Sequence, residues 1–256
     1  MQVMITFSLQ SGSNGNAIYV EANGARLLFD AGLTGSTAQR RMAVHGKSMA
    51  DVDAVIISHD HTDHIRYAGV YQRKFGLPLF MTKRTQAATW WDLGTLNDVR
   101  HFEAGETLSF GHVRVHSIPT PHDAADGVVF VVECDGKRLG ILTDLGHPFA
   151  GLRDIVASLD AMYIEANYDP FLLERGGYPP ALKARIRGEG GHLSNDEAAG
   201  LVGECARDRA TWVAVAHLSQ DNNTPELAVG AMRAAFGSTR SVFHASRARA
   251  SEMWEV

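Results

Sequence analysis

Apolar positions along this chain gather in short runs closed by glycine, asparagine, aspartate or proline, with stretches of helical spacing between some of them. The opening residues from Met1 and Gln2 onward look like a strand, and residues 3–9 alternate in part. Residues 11–16 form a turn cluster. Residues 17–22 and 25–29 predict two strands around Asn23-Gly24, a dipeptide that tolerates the positive φ angles of a tight hairpin. Asp30-Ala31-Gly32 closes the second strand. The spacing then predicts a helix over 34–45, a buried strand over 53–57, a helix over 63–75, a short strand over 77–81 and a helix over 82–91.

The second half is built in the same manner. Strands are predicted over 99–102, 107–110 and 113–118, then over 127–134 and 137–142 around the hairpin signal Asp135-Gly136. A helix over 149–158 leads to a strand over 160–165, and residues around Gly176-Gly177 and Pro179-Pro180 read as an irregular insert. A helix over 195–208 opens with Ser194 and has Glu197 three residues on, the signature of a capping box. A strand over 211–216, a helix over 224–236 with Pro225 in its first turn and a strand over 241–244 complete the pattern. Strand-rich blocks alternating with helices fit two sheets faced by helices. No low-complexity linker divides the chain, so residues 1–256 are expected to form a single domain.

The chemistry concentrates where the apolar run 54–57 ends. After Ser58, His59-Asp60-His61-Thr62-Asp63-His64 packs three imidazoles and two carboxylates into six residues. That donor mixture suits zinc and related divalent metals. His59 and His61 alternate and can converge on one ion. Asp63 and His64 stand where a helix begins and can serve a second. Asp60 lies between ligands and is read as a turn residue or an acceptor that steadies an imidazole. Further donors stand alone at the ends of apolar runs, where α/β folds place their sites: His122, Asp144 and His217. His147 can approach Asp144 but has little ligand context, and His45, His101, His112, His116 and His244 have none.

Composition narrows the setting. Apolar residues make up 45% of 256, enough for a sizeable core, and the net charge of −5 argues against general nucleic-acid affinity without excluding a local basic track. Arg175, Lys183, Arg185 and Arg187 form one such local track, which can follow phosphates or simply face solvent. Cys134 and Cys205 are far apart and read as small buried hydrophobes. No signal peptide is evident and no apolar run approaches the ~18 residues that span a membrane, so a cytoplasmic protein without membrane partners is expected.

The H-x-H-x-D-H spacing of residues 59–64 resembles the metallo-β-lactamase superfamily, and His122, Asp144 and His217 follow in that superfamily's order. The resemblance implies an α/β fold, a four-layer αββα sandwich. It also implies two divalent ions, zinc or manganese with iron as a further option. His59, His61 and His122 would hold the first, Asp63, His64 and His217 the second, with Asp144 between them and a hydroxide clamped by both as nucleophile. Four further segments resemble the bacterial YycJ/WalJ-type branch, related to the tRNA 3′-processing endonucleases: residues 8–16, 165–169, 191–195 and 217–225. That likeness implies a DNA exonuclease acting from the 5′ end, in the service of DNA repair. It also implies that His192 donates a proton to the leaving oxygen while Glu165 holds it, so Asp63, His192 and Glu165 are the expected catalytic residues. Asn222 and Asn223 either bind the substrate or cap the next helix. A hydrolase of thioesters, lactones or cyclic phosphodiesters is the competing expectation, because the same ions serve an acyl carbon.

Overall fold

Most of the apolar runs become strands buried on both faces. The computed structural model describes residues 3–256, so the part of the expected opening strand at Met1 and Gln2 lies outside the described residues. The first sheet contains β1 (Ile5–Gln10), β2 (Ala17–Ala22), β3 (Ala25–Phe29), β4 (Ala54–Ile56), β5 (Leu79–Met81) and β6 (Val99–His101). The second contains β7 (Thr107–Phe110), β8 (Val113–Pro119), β9 (Val128–Cys134), β10 (Lys137–Leu142), β11 (Ala161–Glu165), β12 (Trp212–Ala216) and β13 (Ser241–His244). A last strand, β14 (Trp254–Glu255), returns to the first sheet beside β1. Each sheet begins as an antiparallel meander and continues as parallel strands, β3 to β6 in one and β10 to β13 in the other. Both hairpin signals turn as expected, with positive φ at Asn23, Gly24, Asp135 and Gly136.

Strand parity builds three apolar layers. Phe29, Ile56, Phe130, Tyr163 and Trp212 fill the space between the sheets. Leu28, Val55 and Ile57 face the opposite way, toward α1 (Gly35–Ala43) and α3 (Ala68–Phe75). Val131, Ile164 and Val215 face α5 (Leu152–Ala157), α8 (Asn195–Cys205) and α9 (Pro225–Phe236). The result is the four-layer αββα sandwich. Burial on both faces is why these strands read as continuous apolar runs rather than as alternating ones. Among the described residues no helix is long and apolar enough to cross a membrane.

Three expectations change. The helix expected over 63–75 is broken into α2 (Thr62–Ile65) and α3, because the Tyr67 N–H donates to Ala31 O at 2.9 Å instead of continuing the helix. The Ala31 N–H in turn donates to His64 O at 2.6 Å. The loop after β3 is thereby stitched to the metal-motif segment, and Gly32 permits the approach: a Cβ there would lie 1.8 Å from Asp63 O. The helix expected over 82–91 ends early, as α4 (Lys83–Ala88). The insert expected to be irregular holds α6 (Pro170–Arg175) and α7 (Pro180–Arg187), each opened by proline at its first turn.

Candidate metal centre

Every residue of the cluster lies at the C-terminal end of a strand or in the turn or short helix that follows it. Asp30 follows β3, residues 59–64 follow β4, His122 follows β8, Asp144 follows β10, Glu165 ends β11 and His217 follows β12. Asp30, Asp144 and His217 adopt left-handed backbone angles, φ 68°, 58° and 53°. Non-glycine residues hold such angles only where their surroundings enforce them. Here the enforcement is visible. The His217 N–H donates to Ser11 Oγ at 2.9 Å and its carbonyl accepts from Asn167 Nδ2 at 2.8 Å. Thr120 Oγ1 donates to Asp144 O at 3.1 Å, and the Asp30 N–H donates to Ile56 O at 2.9 Å.

Four overlapping groups of donors result among the described residues: the two described next, His59 with His64 and Asp144, and Asp144 with Glu165, His192 and His217. Nitrogens of His59, His61 and His122 lie within 4.8 Å of one another, and so do donor atoms of Asp63, His64 and His217. Asp144 stands between them, with Oδ1 3.6 Å from His122 Nε2 and 3.5 Å from His217 Nδ1, and Oδ2 3.2 Å from His64 Nε2. All seven residues that sequence reasoning named as ligands therefore converge on one place. His59 Nε2 and Asp144 Oδ2 are buried without a hydrogen-bond partner. Buried polar atoms are normally satisfied, and orphans aimed into a ring of imidazoles are what cation ligands look like.

The electrostatics agree with that role for His59, His122, Asp63 and Asp144, and oppose it for His64, which a bound cation must deprotonate. Burial pushes the His59 pKa well below its ordinary value, with His64 adding to the effect, and burial likewise lowers His122. Both rings are thus neutral, the form that ligates. Burial opposes charge on Asp63 and Asp144, but the imidazoles of His64 and His217 outweigh it and hold both carboxyls below the usual range. His64 is buried too, yet Asp144, Asp30 and Asp63 draw its pKa well above the ordinary value.

His192 and Glu165 sit beside this ring. Glu165 is fully buried; its Oε2 accepts the Leu145 N–H at 2.9 Å and its Oε1 lies 2.5 Å from His192 Nδ1. Burial disfavours charge on His192, but the Glu165 carboxylate overrides it and pushes the pKa up to about 9. With Nδ1 taken, Nε2 is the nitrogen left for a substrate.

Other expectations fall outside the ring. Asp60 Oδ1 accepts the Ala125 N–H at 3.0 Å and so pins the loop after His122. His147 hydrogen-bonds Glu189 O at 2.7 Å and belongs to no donor group. Asn223 is buried and does not cap the helix: it accepts from the Thr224 N–H at 2.9 Å and exchanges amide bonds with Asn195, while Thr224 Oγ1 caps α9 through the Leu227 N–H. The basic insert is mostly spent internally, Lys183 and Arg187 on Glu174, Arg185 on Asp123 at 2.6 Å, and Arg175 over the Phe171 ring. Cys134 is buried in the inter-sheet core and both cysteines are free.

Sequence reasoning missed the residues that hold the ring. Asp30 Oδ2 lies 2.7 Å from His64 Nδ1, and Asp30 also accepts the Ser58 N–H and hydroxyl at 2.8 and 3.0 Å. Ser58 Oγ lies 2.9 Å from His59 Nδ1. Asn16 Nδ2 lies 3.2 Å from Asp63 Oδ2. Asp30 carries the signal that exposed Asp144: a lone carboxylate after an apolar run.

A sequence model of the Metallo-beta-lactamase superfamily matches residues 11–196. The exodeoxyribonuclease WalJ of Streptococcus pneumoniae is 36% identical over 224 residues, covering 86% of this chain and 83% of WalJ. The exodeoxyribonuclease YycJ of Bacillus anthracis is 32% identical over 222 residues, covering 86% of this chain and 84% of YycJ. The crystal structure of the metallo-beta-lactamase fold protein YhfI from Bacillus subtilis superimposes with a TM-score of 0.77 at 16% identity over 100% of both chains, a likeness of fold. The chain belongs to the metallo-beta-lactamase superfamily, on the branch of the YycJ and WalJ proteins.

Proposed function

We propose that this protein is a metal-dependent phosphodiesterase that degrades DNA from an end, from the 5′ end by analogy with the implied family chemistry. We further propose that its 256 residues work as one domain around a dinuclear centre. Two of its relatives, WalJ and YycJ, are named exodeoxyribonucleases. The observation that carries the reading is the Glu165–His192 pair beside the donor ring. A nucleotide's alkoxide oxygen leaves poorly until protonated, whereas thiolates and many acyl leaving groups need little help. A charged imidazole beside the ring therefore suits a phosphodiester better than a thioester or lactone, although the ring would serve either.

His59, His61 and His122 would hold one ion, Asp63, His64 and His217 a second, with Asp144 facing both. When bound, the ions supply Lewis acidity toward a phosphoryl oxygen and an ionised water near neutral pH. Zinc, manganese and iron all suit these donors. The remaining work belongs to the chain. Asp30 and Ser58 fix the tautomers and tilt of His64 and His59. Asn16 orients Asp63. Glu165 keeps His192 charged, and His192 delivers a proton from Nε2 to the leaving oxygen.

The test is the protein reconstituted with zinc or manganese and offered 5′-labelled and 3′-labelled DNA, single- and double-stranded, beside a thioester. Stepwise nucleotide release that a chelator abolishes is expected. Thioester turnover without DNA degradation would overturn the reading in favour of a small-ester hydrolase.

A further inference from the structure

Between Asp63 and Asp92 the chain carries no acidic residue and five cations, Arg66, Arg73, Lys74, Lys83 and Arg84, in a protein whose net charge is −5. All five are exposed. The segment starts at the donor ring and ends on a loop that presents Trp90 and Trp91. Trp90 is 74% exposed, the most exposed of the large hydrophobic side chains among the described residues. Its ring meets Trp91 edge-on at 5.5 Å, and the Arg66 guanidinium lies 4.1 Å from the centroid of the Trp91 ring. The loop is firmly seated. Arg73 Nη1 donates to Leu93 O at 2.7 Å and to Thr95 O at 3.1 Å. Leu93 O rests directly on α3 at Gly69, where a Cβ would lie 1.9 Å from it.

The platform adjoins the donor ring through Arg66, which lines a cavity of about 110 Å³ together with Ser13, Thr62 and Asp63. Trp91 is half-buried with the Arg66 guanidinium beside it, whereas the exposed Trp90 indole contributes little to the fold and marks a contact surface. Its setting selects the contact. Arg73 serves Leu93 and Thr95 and Arg84 faces Asp126 at 3.8 Å, which leaves Arg66, Lys74 and Lys83 to attract a polyanion, and flat aromatic faces beside a guanidinium stack bases sequence-tolerantly. In a duplex those base faces are covered, so the matching ligand has unpaired bases.

We propose that Trp90, Trp91 and Arg66 form a stacking platform for the unpaired bases of a DNA strand whose end lies at the donor ring. This rests on the nuclease reading above and names the form of substrate, a single-stranded or frayed end.

The experiment measures binding of fluorescein-labelled oligodeoxythymidine to the metal-loaded protein by stopped-flow fluorescence anisotropy before turnover, a readout that does not depend on the tryptophans replaced. Wild type is compared with Trp90→Ala, Trp91→Ala, Arg66→Gln and Trp90→Phe, each checked for metal content and thermal melting. Binding to wild type should raise the anisotropy. Each alanine variant should bind about 5- to 100-fold more weakly, the usual range for losing one stacked base. Trp90→Phe, which keeps an aromatic face, should recover much of the loss. The defect should be larger for single-stranded than for blunt double-stranded DNA. Unchanged affinity in both alanine variants, or an equal loss on blunt duplex, would overturn the platform. A wild-type dimer that Trp90→Ala dissociates in sedimentation would also overturn it and give the surface to a second copy. The binding measurement needs no hydrolysis, so a platform that fails in an active DNA nuclease leaves the nuclease reading standing. A protein that binds oligodeoxythymidine through the tryptophans but degrades no DNA does the reverse.

Discussion

Replacing His192 by alanine should slow DNA hydrolysis while leaving the metal content intact. The His192 ring is outside the groups His59–His61–His122 and Asp63–His64–His217; it forms a further donor group with Asp144, Glu165 and His217, but its Nδ1 is committed to Glu165 Oε1 at 2.5 Å. That bond fixes the imidazole in one orientation with Nε2 free. Glu165 is itself immobile: it is fully buried and its other oxygen accepts the Leu145 N–H at 2.9 Å. A positioned general acid contributes ~10²–10⁴-fold, about 2.7–5.5 kcal/mol of barrier, and the rigid pair justifies that whole range for His192→Ala. Glu165→Gln keeps the volume. The amide oxygen can accept from Leu145, but its NH₂ then faces Nδ1, which must become an acceptor. His192 stays a donor at Nε2 but loses its charge, so the loss should be smaller, about 10- to 100-fold. The assay compares kcat on DNA with kcat on bis-p-nitrophenyl phosphate, whose nitrophenolate departs without a proton, and measures bound metal. Both variants should keep their metal and show a much smaller loss on the activated diester. Equal losses on the two substrates would refute proton donation and leave His192 as a binding or structural residue.

Wild-type protein purified without chelator should approach two ions per chain, and Asp63→Ala should abolish turnover with an unchanged circular dichroism spectrum; near wild-type turnover in a folded, metal-loaded variant would remove Asp63 from the mechanism. Asp30→Asn should weaken metal retention by about 10- to 100-fold in competition with a chelator, because Asp30 orients His64 and Ser58; equal retention would make Asp30 a purely structural residue. Glu21 tests a part of the fold remote from the donor ring. Burial pushes its carboxyl up, but Lys47 and the Tyr19 hydroxyl outweigh burial and lower its pKa from 4.5. A depressed carboxyl stabilises the fold above its unfolded-state pKa and loses that contribution as pH falls through the folded value. Glu21→Gln should therefore lower Tm by about 2–4 °C at pH 7, for a partly exposed network worth about 1 kcal/mol. The gap should begin to shrink as pH drops below 4.5; a gap that persists in strong acid would show that charge is not its source.

The chain's local chemistry settled much in advance. Strands buried on both faces leave continuous apolar runs, so β4, β9, β11 and β12 were legible within a residue or so, and both hairpins followed from Asn23-Gly24 and Asp135-Gly136. That the seven candidate ligands meet was legible because each ends an apolar run or belongs to the tight cluster over 59–64, and imidazoles and carboxylates crowded at strand ends are costly to bury apart. Tertiary structure decided what local patterns do not encode. The helical pattern over 63–75 gives no hint of a break, since its cause is Ala31, remote in sequence, taking the Tyr67 hydrogen bond. β14 is too short to announce itself and exists because β1 offers an open edge. Asp30 was overlooked because a turn aspartate and a histidine-orienting aspartate look alike until His64 arrives at 2.7 Å. Likewise, Trp90 and Trp91 read as the end of a helix until the fold left them on an exposed loop beside Arg66 and the donor ring. Periodicity records which faces are buried, whereas hydrogen-bond partners and neighbours across the sheet ends depend on distances that only the folded chain sets.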